Sequence, residues 1–219
     1  MNNKVLMVAV HPDDETLGCG GTLLKHKSNG DEIHWLICTS INKSKHNYKL
    51  REKEIEKVSK LFNFNSVHNL RLKTAQVDSY SYSDLVEKIS SVINLVTPNT
   101  IYLPFKSDVH SDHRKIFEAT YSCTKSFRYP FIKNIYMVET LSETEFAPGI
   151  TENNFVPNVF VDISEYIEKK IEIMNIYKTE IGDHPFPRSE KNIRALSTFR
   201  GASSGCQYAE SFMLLKSIL

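Results

Sequence analysis

Residues 4–10, KVLMVAV, form an unbroken apolar run bounded by charge, which predicts a strand covered on both faces. Similar runs predict strands over 32–40, 67–72, 100–105, 134–140, 158–163 and near 208–215. Between them the apolar spacing turns helical. Residues 15–30 read as a helix closed by Asn29-Gly30. Residues 48–62 carry Leu50, Ile55, Val58, Leu61 and Phe62 on one face and charge on the other. A third helix, 83–96, stops before Thr97-Pro98. Further helices are expected over 114–127, from an N-cap at Ser164 to Tyr177, and around 188–199.

Strand and helix alternate at least four times, which predicts an α/β fold: a Rossmann-like, mainly parallel sheet with helices on both faces. No composition shift marks a boundary, so residues 1–219 are expected to form a single domain. Ligands of such sheets bind beyond the carboxyl ends of the strands. The irregular stretches 41–47, 73–82, 106–113, 141–157 and 179–188 are therefore candidate walls of a site.

Composition narrows the functional classes. Lys plus Arg is 27 against 26 Asp plus Glu, a net charge of +1, so there is no electrostatic footprint for nucleic acid and no polybasic membrane patch. No stretch approaches the roughly 18 apolar residues of a membrane span. The N-terminal apolar run lacks a signal-peptide cleavage site, and Cys19, Cys38, Cys123 and Cys206 are widely spaced. Reduced, mostly buried thiols and a cytoplasmic location are the expectation.

The first strand ends abruptly in HPDDE, residues 11–15. A helix cap accounts for one carboxylate there, Asp13 or Asp14, but not for a histidine and three consecutive acids. Packed together, such groups repel unless a cation or hydrogen-bond donors offset them. A second cluster, DVHSDH (108–113), follows the fourth strand with the same residue types. Two imidazoles and one carboxylate suit a catalytic zinc site with an open position, and a neighbouring carboxylate can then serve as general base. Adjacent Asp13 and Asp14 can point in opposite directions and divide those roles. His26, His34, His46 and His68 sit among ordinary helix, strand or loop residues and read as structural or exposed. His184, in the rigid turn HPFPR, is a candidate for the pocket mouth.

HPDDE after a first strand, followed by GCGGT, resembles the LmbE-like, or PIG-L, family of zinc-dependent N-deacetylases. HSDH (110–113) resembles that family's second metal motif, LREKE (50–54) its Arg-x-x-Glu segment, and FRGASSGCQYAESF (199–212) its C-terminal pattern. The four blocks span nearly the whole chain in the family's order. The resemblance implies one Zn2+ per chain, or another divalent metal such as Fe2+, held by His11, Asp14 and His113. It implies Asp13 as general base, His110 as the group stabilising the tetrahedral intermediate or donating a proton, and Arg51 as a substrate contact. Asp112 or Asp108 would fix an imidazole tautomer from behind the ligands. The glycines at 18, 20 and 21 would serve either close substrate approach or tight helix–sheet packing. Without the family pattern, Arg51 reads as one more solvated charge on its helix.

The implied activity is removal of the acetyl group from an N-acetylglucosamine-type sugar or conjugate, releasing acetate and a free amine. Other classes fit less well. A dinucleotide fingerprint G-x-G-x-x-G would need glycine where Leu23 stands. A two-metal phosphoesterase needs more carboxylates and a further histidine cluster. A non-catalytic sugar-binding module would tolerate loss of Asp13, which is present. The aglycone, the pathway and the oligomeric state, a homo-oligomer included, stay open at this level.

Overall fold

The computed structural model describes residues 2–44 and 46–219; Lys45 of the 41–47 stretch lies outside the described residues. Seven strands form one sheet in the order β3-β2-β1-β4-β5-β7-β6. They are β1 (Lys4–Ala9), β2 (Glu32–Ser40), β3 (Ser66–Lys73), β4 (Thr100–Leu103), β5 (Asn134–Val138), β6 (Val159–Asp162) and β7 (Ala209–Ser217). The first five run parallel; β7 runs antiparallel to both β5 and β6.

The unbroken apolar run of β1 follows from its central place. Alternate residues feed two cores on opposite faces. Val5, Met7 and Ala9 join Trp35, Phe62 and Tyr177. Leu6, Val8 and Val10 join Leu36, Ile89, Ile101 and Ile116. Full burial of one such side chain contributes about 1.5–3 kcal/mol, so the run anchors the sheet energetically. Helices α1 (Asp14–Ser28), α2 (Tyr48–Phe62), α5 (Ile167–Met174) and α6 (Glu190–Ser204) cover the first face. Helices α3 (Tyr82–Val96) and α4 (Ser111–Ser122) cover the second.

Chain order reverses between β1 and β4. From β1 the chain steps outward to β2 and β3, then returns to β4 on the other side. That is a topological switch point, with a crevice at the carboxyl ends of the two strands. HPDDE follows β1 and DVHSDH follows β4, so both motifs open onto it.

Helix α1 is broken at Cys19, whose φ of −150° and ψ of 26° leave the helical region. The freed groups find partners across the sheet. The Gly21 and Thr22 amides donate to the two carboxylate oxygens of Glu210 at 2.9 and 2.7 Å. Lys170 Nζ donates to Glu210 at 2.7 Å and to the Leu17 carbonyl at 2.9 Å. Glu210, the acid of the C-terminal YAESF block, therefore caps a helical restart rather than facing a ligand. At Gly21 an added Cβ would lie 2.7 Å from Ile163, so this glycine serves packing.

Three helices depart from the sequence expectation in their bounds. α4 begins at Ser111, not at about 114, because His110 takes the N-cap position and its Nδ1 accepts from the Asp112 amide at 3.1 Å. It also ends at Ser122, short of 127. Ser164 is not a cap: its hydroxyl donates to Asp162 and accepts from the Tyr208 amide, and the helix starts at Ile167. α6 starts two residues later than expected, capped by Ser189 over the Asn192 amide, and continues to Ser204.

Candidate active site

His11 leaves β1 at its carboxyl end, and Asp14 opens α1 immediately after it. The Asp14 carboxylate accepts from the His11 amide at 2.8 Å, which closes the turn. His113 enters from the first turn of α4, across the switch-point crevice. Three atoms then converge. His113 Nε2 lies 3.3 Å from His11 Nδ1 and 3.4 Å from Asp14 Oδ2, and His11 Nδ1 lies 3.9 Å from Asp14 Oδ2. Tetrahedral zinc with bonds of about 2.0–2.1 Å requires donor–donor separations of about 3.3–3.4 Å. Two edges meet that value and the third is slightly open.

The groups behind these donors fit the same purpose. Asp108 accepts from His113 Nδ1 at 2.9 Å and is itself held by the Thr144 hydroxyl at 2.7 Å. Asp112 faces His11 Nε2 at 3.4 Å and accepts from the Ala75 and Val77 amides at 2.7 and 3.1 Å. Each imidazole thus has a carboxylate on one nitrogen, leaving the other nitrogen's lone pair directed at the common point. That is the outer arrangement typical of metal-binding histidines. Burial alone would lower the His113 pKa, but Asp14 and Asp108 overcome it and raise it to about 9. A cation of some kind is favoured at this point.

Asp13 occupies the N-cap position of α1 but makes no side-chain cap bond; its φ is 131°. A non-glycine residue rarely adopts that conformation. Its amide donates to Glu15 at 3.0 Å, and Glu15, fully buried, also accepts from Tyr177 Oη at 2.8 Å and Thr16 Oγ1 at 2.6 Å. The strained turn delivers the Asp13 carboxylate into the cavity. Burial first, then the neighbouring Asp14, push the Asp13 pKa well above the usual carboxylate range, with Arg188 opposing them.

The cavity has a volume of about 260 Å³ and is walled by every irregular stretch expected to contribute: Ile41, Thr74, His110, Glu143, and Glu180 with Arg188. His110 offers Nε2 to this space, since Nδ1 already accepts the Asp112 amide and the neutral ring then carries its proton on Nε2. Burial and the nearby His11 hold the His110 pKa below its ordinary value.

Arg51 is not the solvated charge its helix context suggested. It is buried, its Nη1 donates to the Pro12 carbonyl at 3.3 Å, its guanidinium lies 5.3 Å from the Tyr177 ring centroid, and it pairs with Glu180. His184 lines a separate cavity with Asn175 and Asp183, not the one at His11. His26 is held by Asp31 and Tyr102, and His34 and His68 share Ser66, all away from the crevice. Arg188, Glu180 and Glu143 were not singled out from the sequence. The turn HPFPR was the one visible signal near Arg188. Burial pushes the Glu143 carboxyl up to about 7.

Residues 6–124 match the family of GlcNAc-PI de-N-acetylases, PIG-L. The chain belongs to that family. It is 25% identical over 227 residues to the diacetylchitobiose deacetylase of Thermococcus kodakarensis, covering 98% of this chain and 84% of that one. The fold is that of the N,N'-diacetylchitobiose deacetylase from Pyrococcus horikoshii, solved with an inhibitor: TM-score 0.78, 20% identity, 98% and 84% of the two chains. A 4-carboxy-2-hydroxymuconate hydratase from Pseudomonas putida is almost as similar in fold, with TM-score 0.77, 16% identity, and 100% and 98% coverage. One fold thus carries two reactions, and the chemistry has to be argued from the side chains. No helix among the described residues is long and apolar enough to cross a membrane.

Proposed function

We propose that this chain is a metal-dependent N-deacetylase of an N-acetylglucosamine-type sugar or its conjugate. The observation that carries the reading is the three-donor set of His11, Asp14 and His113 with a non-ligating carboxylate, Asp13, beside it. When bound, zinc or ferrous iron would supply Lewis acidity toward the acetamide oxygen and lower the pKa of water.

The protein's own groups account for the proton movements. Asp13, as carboxylate, takes a proton from the attacking water as the new C–O bond forms at the acetyl carbon. His110 donates from Nε2 to the oxygen that gains charge, an interaction worth up to several kcal/mol in a partly dry site. Asp13 then returns its proton to the nitrogen as the C–N bond breaks, giving acetate and a free amine. Arg51 anchors the sugar side through its fixed guanidinium. A cavity of about 260 Å³ suits one sugar ring at the reacting end, with any aglycone outside.

The test is acetate release by the zinc- or iron-loaded protein from N-acetylglucosamine, N,N'-diacetylchitobiose and N-acetylglucosaminides with charged and neutral aglycones. Activity lost in chelator and restored by metal supports the reading. Metal-independent turnover, or no acetate from any substrate, overturns it. Asp13→Asn is expected to keep its metal and lose roughly 100-fold or more of the rate.

A further inference from the structure

Arg188 is the one cation in direct contact with Asp13 among the described residues: its Nη1 donates to Asp13 Oδ2 at 3.3 Å. Its other terminal nitrogen, Nη2, donates to Glu180 Oε2 at 3.1 Å, and Glu180 also receives Arg51. The result is a chain of alternating charge, Asp13–Arg188–Glu180–Arg51, that runs along one wall of the cavity.

The Arg188 backbone is equally constrained. The Ser189 amide bonds the Phe186 carbonyl at 3.0 Å, Ser189 caps α6, and Asn192 Nδ2 donates to the Pro187 carbonyl at 2.7 Å. The Phe186 ring lies under the guanidinium, 5.5 Å from centroid to Cζ. Among the described residues Arg188 Nε has no partner, so the two terminal nitrogens alone tie the guanidinium, one of them to Asp13 Oδ2. That bond restrains the rotation of the Asp13 carboxylate. Among the described residues no donor bonds Oδ1, the oxygen left for the water.

We infer that Arg188, clamped by Glu180, is a positioning residue for the general base: it fixes Asp13 through Oδ2 and leaves Oδ1 to take the proton. The inference rests on the deacetylase reading above. Arg188 and Arg51 meet only through Glu180: Arg188 spends its terminal nitrogens on Asp13 and Glu180, while Arg51 spends its own on Pro12, Thr179 and Glu180 and touches no part of Asp13's carboxylate. A base that loses its orientation lowers turnover without changing how well substrate is held.

The experiment compares zinc-loaded wild type with Arg188→Ala, Arg188→Lys and Glu180→Gln, using the most rapidly cleaved N-acetyl sugar. Arg188→Ala is expected to lower kcat roughly 10- to 100-fold, with KM and bound metal changed by less than about 2-fold. Arg188→Lys should recover part of the rate, and Glu180→Gln, which loosens Arg51 as well as Arg188, should lower kcat less and raise KM. In an Asp13→Asn background, Arg188→Ala should cost nothing further, because the group it orients is already gone. A raised KM with kcat intact, or full additivity with Asp13→Asn, overturns the inference. If Arg188→Ala does not fold, Arg188→Lys decides by the same criteria. An active wild type indifferent to all three substitutions overturns this inference alone. A metal-loaded wild type inactive on every substrate overturns the deacetylase reading and this inference with it.

Discussion

Asp108 and His113 form a fully buried pair, with the carboxylate 2.9 Å from Nδ1 and the opposite nitrogen, Nε2, facing His11 and Asp14. The pair fixes which imidazole nitrogen is free. Asp108 is itself fixed by Thr144, so the constraint reaches from the loop after β5 to the donor triangle. Asp108→Ala should therefore weaken metal binding roughly 10- to 100-fold, the usual cost of removing a group behind a ligand. Competition against a chelator of known affinity measures it. Affinity equal to wild type in a folded variant would remove Asp108 from this role.

Much of this arrangement is legible in the sequence because its parts are local. His11 and Asp14 sit within four residues at the end of an apolar run, and His113 lies in a six-residue cluster after another. Strand alternation alone places both clusters at the same sheet edge. Other features depend on contacts between distant segments. Arg188 reaches Asp13 from 175 positions away, out of a stretch without periodicity. Arg51 has the sequence surroundings of a surface charge and is buried only because Tyr177 and Glu180 fold over it. Ser164 has the composition of a cap, yet Asp162 claims its hydroxyl. The early start of α4 escapes residue-type rules because its cap is a histidine ring nitrogen.

Gly201, the glycine of the Arg-Gly pair at 200–201, has a packing explanation. A Cβ on Gly201 would stand 2.7 Å from the carbonyl oxygens of both Cys206 and Gln207. Those are backbone atoms of the turn into β7 and cannot swing aside. Gly201→Ala should destabilise the fold by about 1–3 kcal/mol, an overpacking cost. Urea unfolding should show a lower midpoint with little change in slope. An unchanged midpoint would mean that the turn into β7 can yield.

The Lys170–Glu210 pair makes an asymmetric prediction. Both side chains are buried, and Glu210 already satisfies two amides freed by the break in α1. Lys170→Met leaves a buried carboxylate without its cation and should cost about 3–5 kcal/mol. Adding Glu210→Gln to that variant should recover part of the loss, since the amide oxygen still accepts from a freed amide and carries no charge. Thermal unfolding of the two variants orders them. A double variant less stable than Lys170→Met would show that charge is not the dominant cost.

Asp31 gives a pH dependence remote from the metal donors. It closes the turn between α1 and β2, where it accepts from the Asn3 amide at 2.8 Å and faces His26 Nδ1 at 2.7 Å. Burial would raise its pKa, but the hydrogen bonds from His26 and Asn3 outweigh burial and hold it below the ordinary carboxylate value. The unfolded chain, with its Asp near about 3.9, therefore takes up this proton before the native state does. Stability from Asp31 is complete above about pH 5 and is lost as pH falls through the unfolded and then the folded value. Asp31→Asn removes that dependence. The difference in unfolding free energy between wild type and variant should be largest near neutrality and shrink on acidification from about pH 5 to pH 3. A difference constant over that range would show that the carboxylate's charge contributes nothing to holding the N-terminus against this turn.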